Sequence, residues 1–248
     1  MTQQVRVAVF RPDDERIETA VELLESLGAT PVADPMLAIE PTGAVPAAGA
    51  DYVIFTSKTG IELAAQAGWQ PGESKLVSIG PGTSAAANSV GWSVDIEPET
   101  YSSSGLVERL KTEAAGATIE VARSDHGSQV LLDGLREAGA DVSETVLYRL
   151  VRPQEAGASA EYAADGSLEA VAFTSSLTVE HFLAAAADRG VRDAALDGLT
   201  NAVVGVIGEP TRETAEAHGI DVDIVPSEAT FEALATAVVE HAAPTYTE

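Results

Sequence analysis

The feature that most constrains this chain is that it repeats itself. The run VRVAVFRPDDERIETAVELLESLGATPVADPMLAIEP (5–41) is echoed by ATIEVARSDHGSQVLLDGLREAGADVSETVLYRLVRP (117–153). In both, a β-rich run ends in Arg, a polar acidic turn follows, and an amphipathic helical pattern closes at LGA or AGA. YVIFTSKTGIELAAQAG (52–68) is echoed by AVAFTSSLTVEHFLAAA (170–186). LVSIGPGTSAAANSVGWSVDIEPETYSSSGLVERL (76–110) is echoed by VGVIGEPTRETAEAHGIDVDIVPSEATFEALATAV (204–238). The offset grows from 112 (Arg11 with Arg123) to 118 (Thr56 with Thr174) and 128 (Gly80 with Gly208). Element order is therefore kept, and the length differences fall in connections such as 154–167, read as a loop.

Within each unit of about 110 to 125 residues, Val/Ile-rich buried-type runs alternate with helical patterns. That alternation defines an α/β chain with parallel sheets covered by helices, the doubly wound class. Strands are expected at 5–10, 30–33, 51–55, 76–79 and 93–96, and again at 118–122, 142–146, 169–173, 203–207 and 222–225. Pro12 and Asp13 read as the start of the first helix and Gly28 as its end. Thr83 and Thr211 read as N-caps of Ala-rich helices, and Ser102–Ser104 and Ser227–Thr230 precede two more.

Composition removes several functional classes. The chain has 248 residues, 45% of them hydrophobic, enough for two cores. No run is long and apolar enough to span a bilayer. Met1-Thr2-Gln3-Gln4 leads into a strand without a basic or apolar leader, and cysteine is absent, so a cytoplasmic location is expected. The formal charge is −25, and only Lys58, Lys75 and Lys111 of the 14 basic residues are lysines. With no basic patch, nucleic acid is excluded as a partner. Acidic faces such as Glu15, Glu18, Glu22 and Glu25 resemble those of proteins from salt-accumulating cells, where a screening length of about 3 Å in molar salt removes self-repulsion. An ordinary acidic protein is the alternative.

Ligands of doubly wound sheets bind beyond the carboxyl ends of the strands. There this chain places Arg11, Thr56-Ser57, Gly82-Thr83-Ser84, Ser103-Ser104, Arg123, Thr174-Ser175-Ser176, Gly208 and Thr211. Hydroxyls, glycines and helix N-termini bind anions through backbone N–H groups and the helix dipole. SIGPGTS lacks the Lys of a phosphate loop, VFRPDDER lacks the glycines of a dinucleotide site, and no Gly-x-Ser-x-Gly elbow occurs. The four histidines (126, 181, 218, 241) stand apart without metal-ligand spacing, and Asp221 and Asp223 fit the alternation of a half-exposed strand. Plain N-capping explains one Thr-Ser turn; two at equivalent places point equally to a shared ligand site.

The ordered set YVIFTS, SIGPGT, ETVLYRLV, VAFTSS and VIGEPT, with PMLAIEP after the opening strand, resembles the uroporphyrinogen-III synthases along essentially the whole chain. The resemblance implies two flavodoxin-like or Rossmann-like lobes joined by a two-stranded linker. Lobe 1 would comprise 1–37 and 152–248, lobe 2 residues 38–151, with crossing strands near 35–41 and 147–153. It implies a cofactor-free lyase of tetrapyrrole and haem biosynthesis that closes hydroxymethylbilane, inverts its last ring and releases water; nothing in the sequence demands more than a monomer. It assigns Tyr148 to the departure of the hydroxyl and Thr83, Thr174–Ser176 and Thr211 to ligand loops. Glu209 departs from the family pattern at the second Gly-Pro-Thr loop. Such a substrate carries eight carboxylates, so Arg11, Arg123 and Arg149 would have to offset the acidic field locally. A non-catalytic two-lobed module for an anionic small molecule is the competing reading.

Overall fold

Residues 5–243 are described in the structure, a computed structural model; the reading of Met1–Gln4 lies outside them. The chain divides into two compact units, Met1–Ala38 with Val151–Glu248, and Ile39–Leu150. It opens with β1 (Arg6–Val9), α1 (Glu15–Ser26) and β2 (Thr30–Ala33). The second unit is then built from β3 (Ala38–Pro41), β4 (Tyr52–Phe55), α2 (Lys58–Gln66), β5 (Lys75–Ser78), α3 (Pro81–Ser89), α4 (Ser103–Leu110), β6 (Thr118–Ser124), α5 (Gln129–Glu137) and β7 (Asp141–Val151). The first unit is completed by α6 (Ala158–Ala164), β8 (Ala170–Phe173), α7 (Ser176–Asp188), α8 (Arg192–Leu199), β9 (Val203–Val206), α9 (Glu209–Ala217) and α10 (Phe231–Ala242).

Each unit has its own sheet, ordered β2-β1-β8-β9 in the first and β3-β7-β6-β4-β5 in the second. The repeat is visible in this order, since β7, β6, β4 and β5 take the places of β2, β1, β8 and β9. Those ladders are parallel throughout. Strand residues alternate between two faces. Val7 and Val9 of β1 join one core with Leu24 and Val238, while Ala8 and Phe10 join the other with Phe173 and Phe182. The second sheet is likewise packed on both faces, with Ile54 and Leu106 on one side and Phe55 and Leu147 on the other. Equivalent phenylalanines anchor an aromatic trio in each unit: Phe10–Phe173–Phe182 with centroids 4.9–5.7 Å apart, and Phe55–Trp69–Trp92 at 5.2–6.1 Å.

Several details differ from the sequence reading. Asp14, not Pro12 or Asp13, caps α1, its carboxylate accepting the Arg16 N–H at 3.0 Å, and Gly28 follows the helix at φ +81°. Gly80 and Gly208 occupy the N-cap positions of α3 and α9, with a proline in each first turn. Thr83 and Thr211 therefore lie inside their helices, 4% and 3% exposed, rather than capping them. The runs 93–96 and 222–225 shrink to single parallel bridges at Ile96 and Ile224. Just before each, a carboxylate takes a strand N–H: Asp95 that of Leu76 and Asp223 that of Val204, both at 2.8 Å. The 154–167 insertion is not a loop but carries α6. Its start is held by buried Asp34, which accepts N–H groups from Gly157 (2.9 Å) and Ser159 (2.8 Å) and the Ser159 hydroxyl. The strands expected separately at 142–146 and 147–153 are one, β7.

Candidate active site

The carboxyl ends of β6 and β4 and the middle of β7 enclose a pocket of about 240 Å³ within the second unit. Its position follows from an irregularity. Arg123 pairs with Val146 but Ser124 pairs with Tyr148, so one residue of β7, Leu147, is passed over. Such a bulge re-aims the strand locally. Thr42, beyond β3, holds the opposite edge there, its N–H donating to the Leu147 carbonyl at 3.0 Å. Tyr148, 6% exposed, reaches the pocket and donates its hydroxyl to Ser57 Oγ at 3.0 Å.

Ser57 is the N-cap of α2 and also accepts the Gly60 N–H at 3.0 Å. With both lone pairs engaged, its own proton is left to donate. Gly60 permits this packing: a Cβ there would stand 3.2 Å from Ser57 Oγ and 3.3 Å from Leu147. Thr56 and Ser103 add hydroxyls to the wall, Ser103 from the first turn of α4, which Ser102 caps.

Arg123 lines the pocket, but its charge is committed. The side chain is 2% exposed; Nε donates to Glu144 at 2.6 Å and a terminal N–H to the Ser128 carbonyl at 2.6 Å. A Cβ on Gly127 would lie 2.4 Å from Arg123 Cδ, so only glycine lets the β6–α5 loop close over the guanidinium. Ser128 then caps α5. Arg123 acts here as the brace of the loop rather than as a free cation. On that loop stands His126, also in the pocket wall, its Nδ1 2.8 Å from Asp125 Oδ1. Sequence spacing left His126 alone. The signal available was the Asp-His pair directly after a strand-ending Arg-Ser.

Other expected residues are not gathered into this pocket. Gly82, Thr83 and Ser84 sit in the first turn of α3, where Ser84 Oγ is bonded to Ser78 Oγ at 2.6 Å and to the Glu97 carboxylate. Ser104 bonds Ser102 at 3.0 Å and lies outside the pocket lining.

In the first unit, the equivalent strand ends carry Arg11, Thr174–Ser176, Gly208 and Thr211. Thr174 donates to the Phe10 carbonyl at 3.2 Å, and Ser175 caps α7 reciprocally with Thr178. The Ser176 hydroxyl is spent on the Pro210 carbonyl at 3.0 Å and accepts from Thr214 at 2.8 Å. Arg11 is the exception: its Nε is buried without a hydrogen bond among the described residues, and the guanidinium lies 5.2 Å over Phe231. Burial, then the neighbouring Arg16, pushes its pKa down against the opposing pull of Asp14. Asp14 is already paired with Arg16 at 2.5 Å. Arg149 is exposed on β7. Among the described residues no three His, Cys, Asp or Glu side chains are grouped to hold a metal ion.

The fold and these strand-end turns define a duplicated, doubly wound α/β protein with a hydroxyl-lined pocket around one tyrosine. Comparison narrows this. The family model "Uroporphyrinogen-III synthase HemD" matches residues 18–236. A protein of Methanothermobacter thermautotrophicus named "Putative uroporphyrinogen-III synthase" is 34% identical over 230 residues, covering 86% of this chain and 90% of its own length. The chain belongs to the uroporphyrinogen-III synthase family. Among solved structures, a mutant uroporphyrinogen III synthase of Thermus thermophilus superposes with TM-score 0.66 at 20% identity, over 96% of this chain and 98% of its own. The uroporphyrinogen-III synthetase of Helicobacter pylori gives 0.59 at 13%, over 96% and 100%. At these identities the likeness shows the shared fold.

Proposed function

We propose that this chain closes hydroxymethylbilane to uroporphyrinogen III as a cofactor-free hydro-lyase, with inversion of the last ring and loss of water. Family membership along 18–236 carries the activity, and the Tyr148–Ser57 hydrogen bond at 3.0 Å carries the assignment of the site. A phenol whose only partner among the described residues is a hydroxyl can turn to the departing oxygen of a substrate. Loss of that oxygen is driven by the electron-rich pyrrole nitrogen, so the protein's main task is to hold the bilane in the productive fold. The carboxylates of the substrate suit the hydroxyls of Thr56, Ser57 and Ser103 in the second unit. In the first unit they suit Arg11, whose Nε has no hydrogen bond, together with the Thr174 turn, Gly208 and Thr211. Gly82, Thr83 and Ser84 serve through the backbone of the α3 N-terminus, because Thr83 is buried and Ser84 is engaged by Glu97. The enzyme works as a cytoplasmic monomer in a salt-rich medium, where screening lets a −25 surface accept an anionic substrate. Among the described residues no helix is long and apolar enough to cross a membrane.

The test is to supply hydroxymethylbilane from about 0.1 M to about 3 M KCl, a range that takes the screening length from about 10 Å to below 3 Å, then oxidise and resolve the isomers. The proposal expects an excess of type III over spontaneous type I, growing with salt. Type I alone, at the uncatalysed rate in all conditions, overturns it.

A further inference from the structure

The chemistry above uses no side chain suited to exchanging a proton near neutral pH. Phenols, with an ordinary pKa of about 10, orient better than they protonate at pH 7. The pocket holds one group of the right kind. His126 lies on its wall with Tyr148, and its Nδ1 is 2.8 Å from Asp125 Oδ1. That carboxylate is fixed by the strand it serves: the same Oδ1 accepts the Leu150 N–H at 3.1 Å, and the Asp125 N–H donates to the Tyr148 carbonyl at 3.2 Å. Asp125 thus grips β7 at Tyr148 and at Leu150, and orients His126 with the same oxygen. Burial pushes the Asp125 carboxyl up, but the bonds from His126 and Leu150 outweigh it and hold it below the usual carboxylate range. It is therefore an anionic acceptor at neutral pH. A carboxylate on Nδ1 keeps a proton there and leaves Nε2 to exchange one with an occupant of the pocket. His126 is 46% exposed, which lets the ring meet both a ligand and solvent.

We propose that His126, aligned by Asp125, is the proton donor and acceptor of the cyclisation; this rests on the synthase reading. The Nε2 proton of the charged ring passes to the hydroxymethyl oxygen as the C–O bond breaks. The bond's electron pair leaves with that oxygen as water, and the pyrrole nitrogen's lone pair fills the methylene carbon. The substituted carbon of the last pyrrole then attacks that methylene to give a spiro intermediate. Its older bond to the neighbouring bridge carbon breaks and re-forms at the ring's unsubstituted carbon, and the proton lost from that carbon returns to Nε2. One water leaves and His126 ends as it began. The charged and titratable groups around the imidazole are Asp125 on its own loop, Arg123 of β6 with its partner Glu144 of β7, and Tyr148. From α2 and α4 the neighbours are the hydroxyls of Ser57 and Ser103.

Isomer-resolved rates of wild type, His126→Gln and Asp125→Asn are to be measured from about pH 5.5 to 9, spanning the ordinary imidazole range, with thermal unfolding as a check on folding. His126→Gln is expected to lose about 100-fold in kcat, within the usual contribution of general acid–base catalysis, with KM changed less than about threefold. Its rate should also lose the alkaline decline of the wild type. Asp125→Asn should fall about tenfold, because orientation is lost while the imidazole remains. Added imidazole should restore part of the rate to His126→Ala. A folded His126→Gln with wild-type kcat and pH profile overturns the assignment. If the wild type itself yields type I only, the synthase reading fails first.

Discussion

Arg123 and Arg11 end equivalent strands of the two units, yet one is braced and the other is not. Sheet register explains the difference. Glu144 stands beside Val121 on β7 and meets the Arg123 guanidinium; the position beside Val9 on β2 is Ala33, which has no carboxylate to offer. The same comparison separates the two Phe-Thr-Ser turns. Ser57 and Ser175 both cap the helix that follows, but only Ser57 takes a bond from an aromatic hydroxyl. Tyr148 pairs with Ser124, and the corresponding bridge in the first unit joins Pro12 to Leu37, a side chain with no hydroxyl. Duplication therefore supplied two similar scaffolds, and two substitutions on one strand turned the second into a braced pocket with a phenol in it.

The largest expected effect that tests this contrast is on stability. Arg123→Leu strands Glu144, which is 29% exposed, and frees the Ser128 carbonyl and the loop above. Breaking a buried pair costs about 3–5 kcal/mol, and partial exposure of the partner lowers the expectation to about 2–3 kcal/mol. Arg11→Leu, removing a buried Nε that has no hydrogen bond, should be near neutral. Denaturant midpoints measure both, and equal losses would break the distinction.

Smaller is the cap pair. Ser57→Ala and Ser175→Ala should each cost about 1 kcal/mol as lost N-caps. Only Ser57→Ala also frees the Tyr148 hydroxyl, so a change of tyrosine near-ultraviolet absorption is expected for that variant alone.

The smallest effect is acid sensitivity. The Asp14 carboxyl is held low by the Arg16 side chain, and Asp51 by the Thr118 N–H and then its hydroxyl. A depressed folded pKa gives stability that is present above the unfolded value, about 3.9, and lost as pH falls through the folded one. In molar salt, where self-repulsion is screened, unfolding midpoints should be flat from about pH 7 to 5 and fall below about 4. A decline that begins near pH 6 would point to other groups.

The fold was legible because its signals are local: buried Val/Ile runs, and glycines such as Gly28 and Gly139 at positive φ after their helices. The repeat then fixed the element order without any contact being known. What was illegible depends on partners distant in sequence. The α6 helix needs Asp34, 123 residues before Gly157, and the burial of Arg123 needs Glu144 from the next strand. Thr83 and Thr211 have the composition of caps, but Pro81 and Pro210 in the first turn shift the helix starts back to glycines. Of the residues singled out by their chemistry at strand ends, Thr56, Ser57, Ser103 and Arg123 share one pocket with Tyr148, which the family resemblance nominated. His126 joins them only because β7 brings Tyr148 alongside its loop.

The central claim is that the chemistry takes place at Tyr148 in the unit 39–150. It is tested most directly by the isomer-resolved turnover of Tyr148→Phe beside wild type in molar salt, with the unfolding midpoint measured on the same samples. Type III formation slowed by about 10- to 100-fold, equivalent to about 1.4–2.7 kcal/mol of transition-state stabilisation, with the midpoint nearly unchanged, is the predicted result. Type III formed by Tyr148→Phe at the wild-type rate would contradict it and make Tyr148 a packing residue.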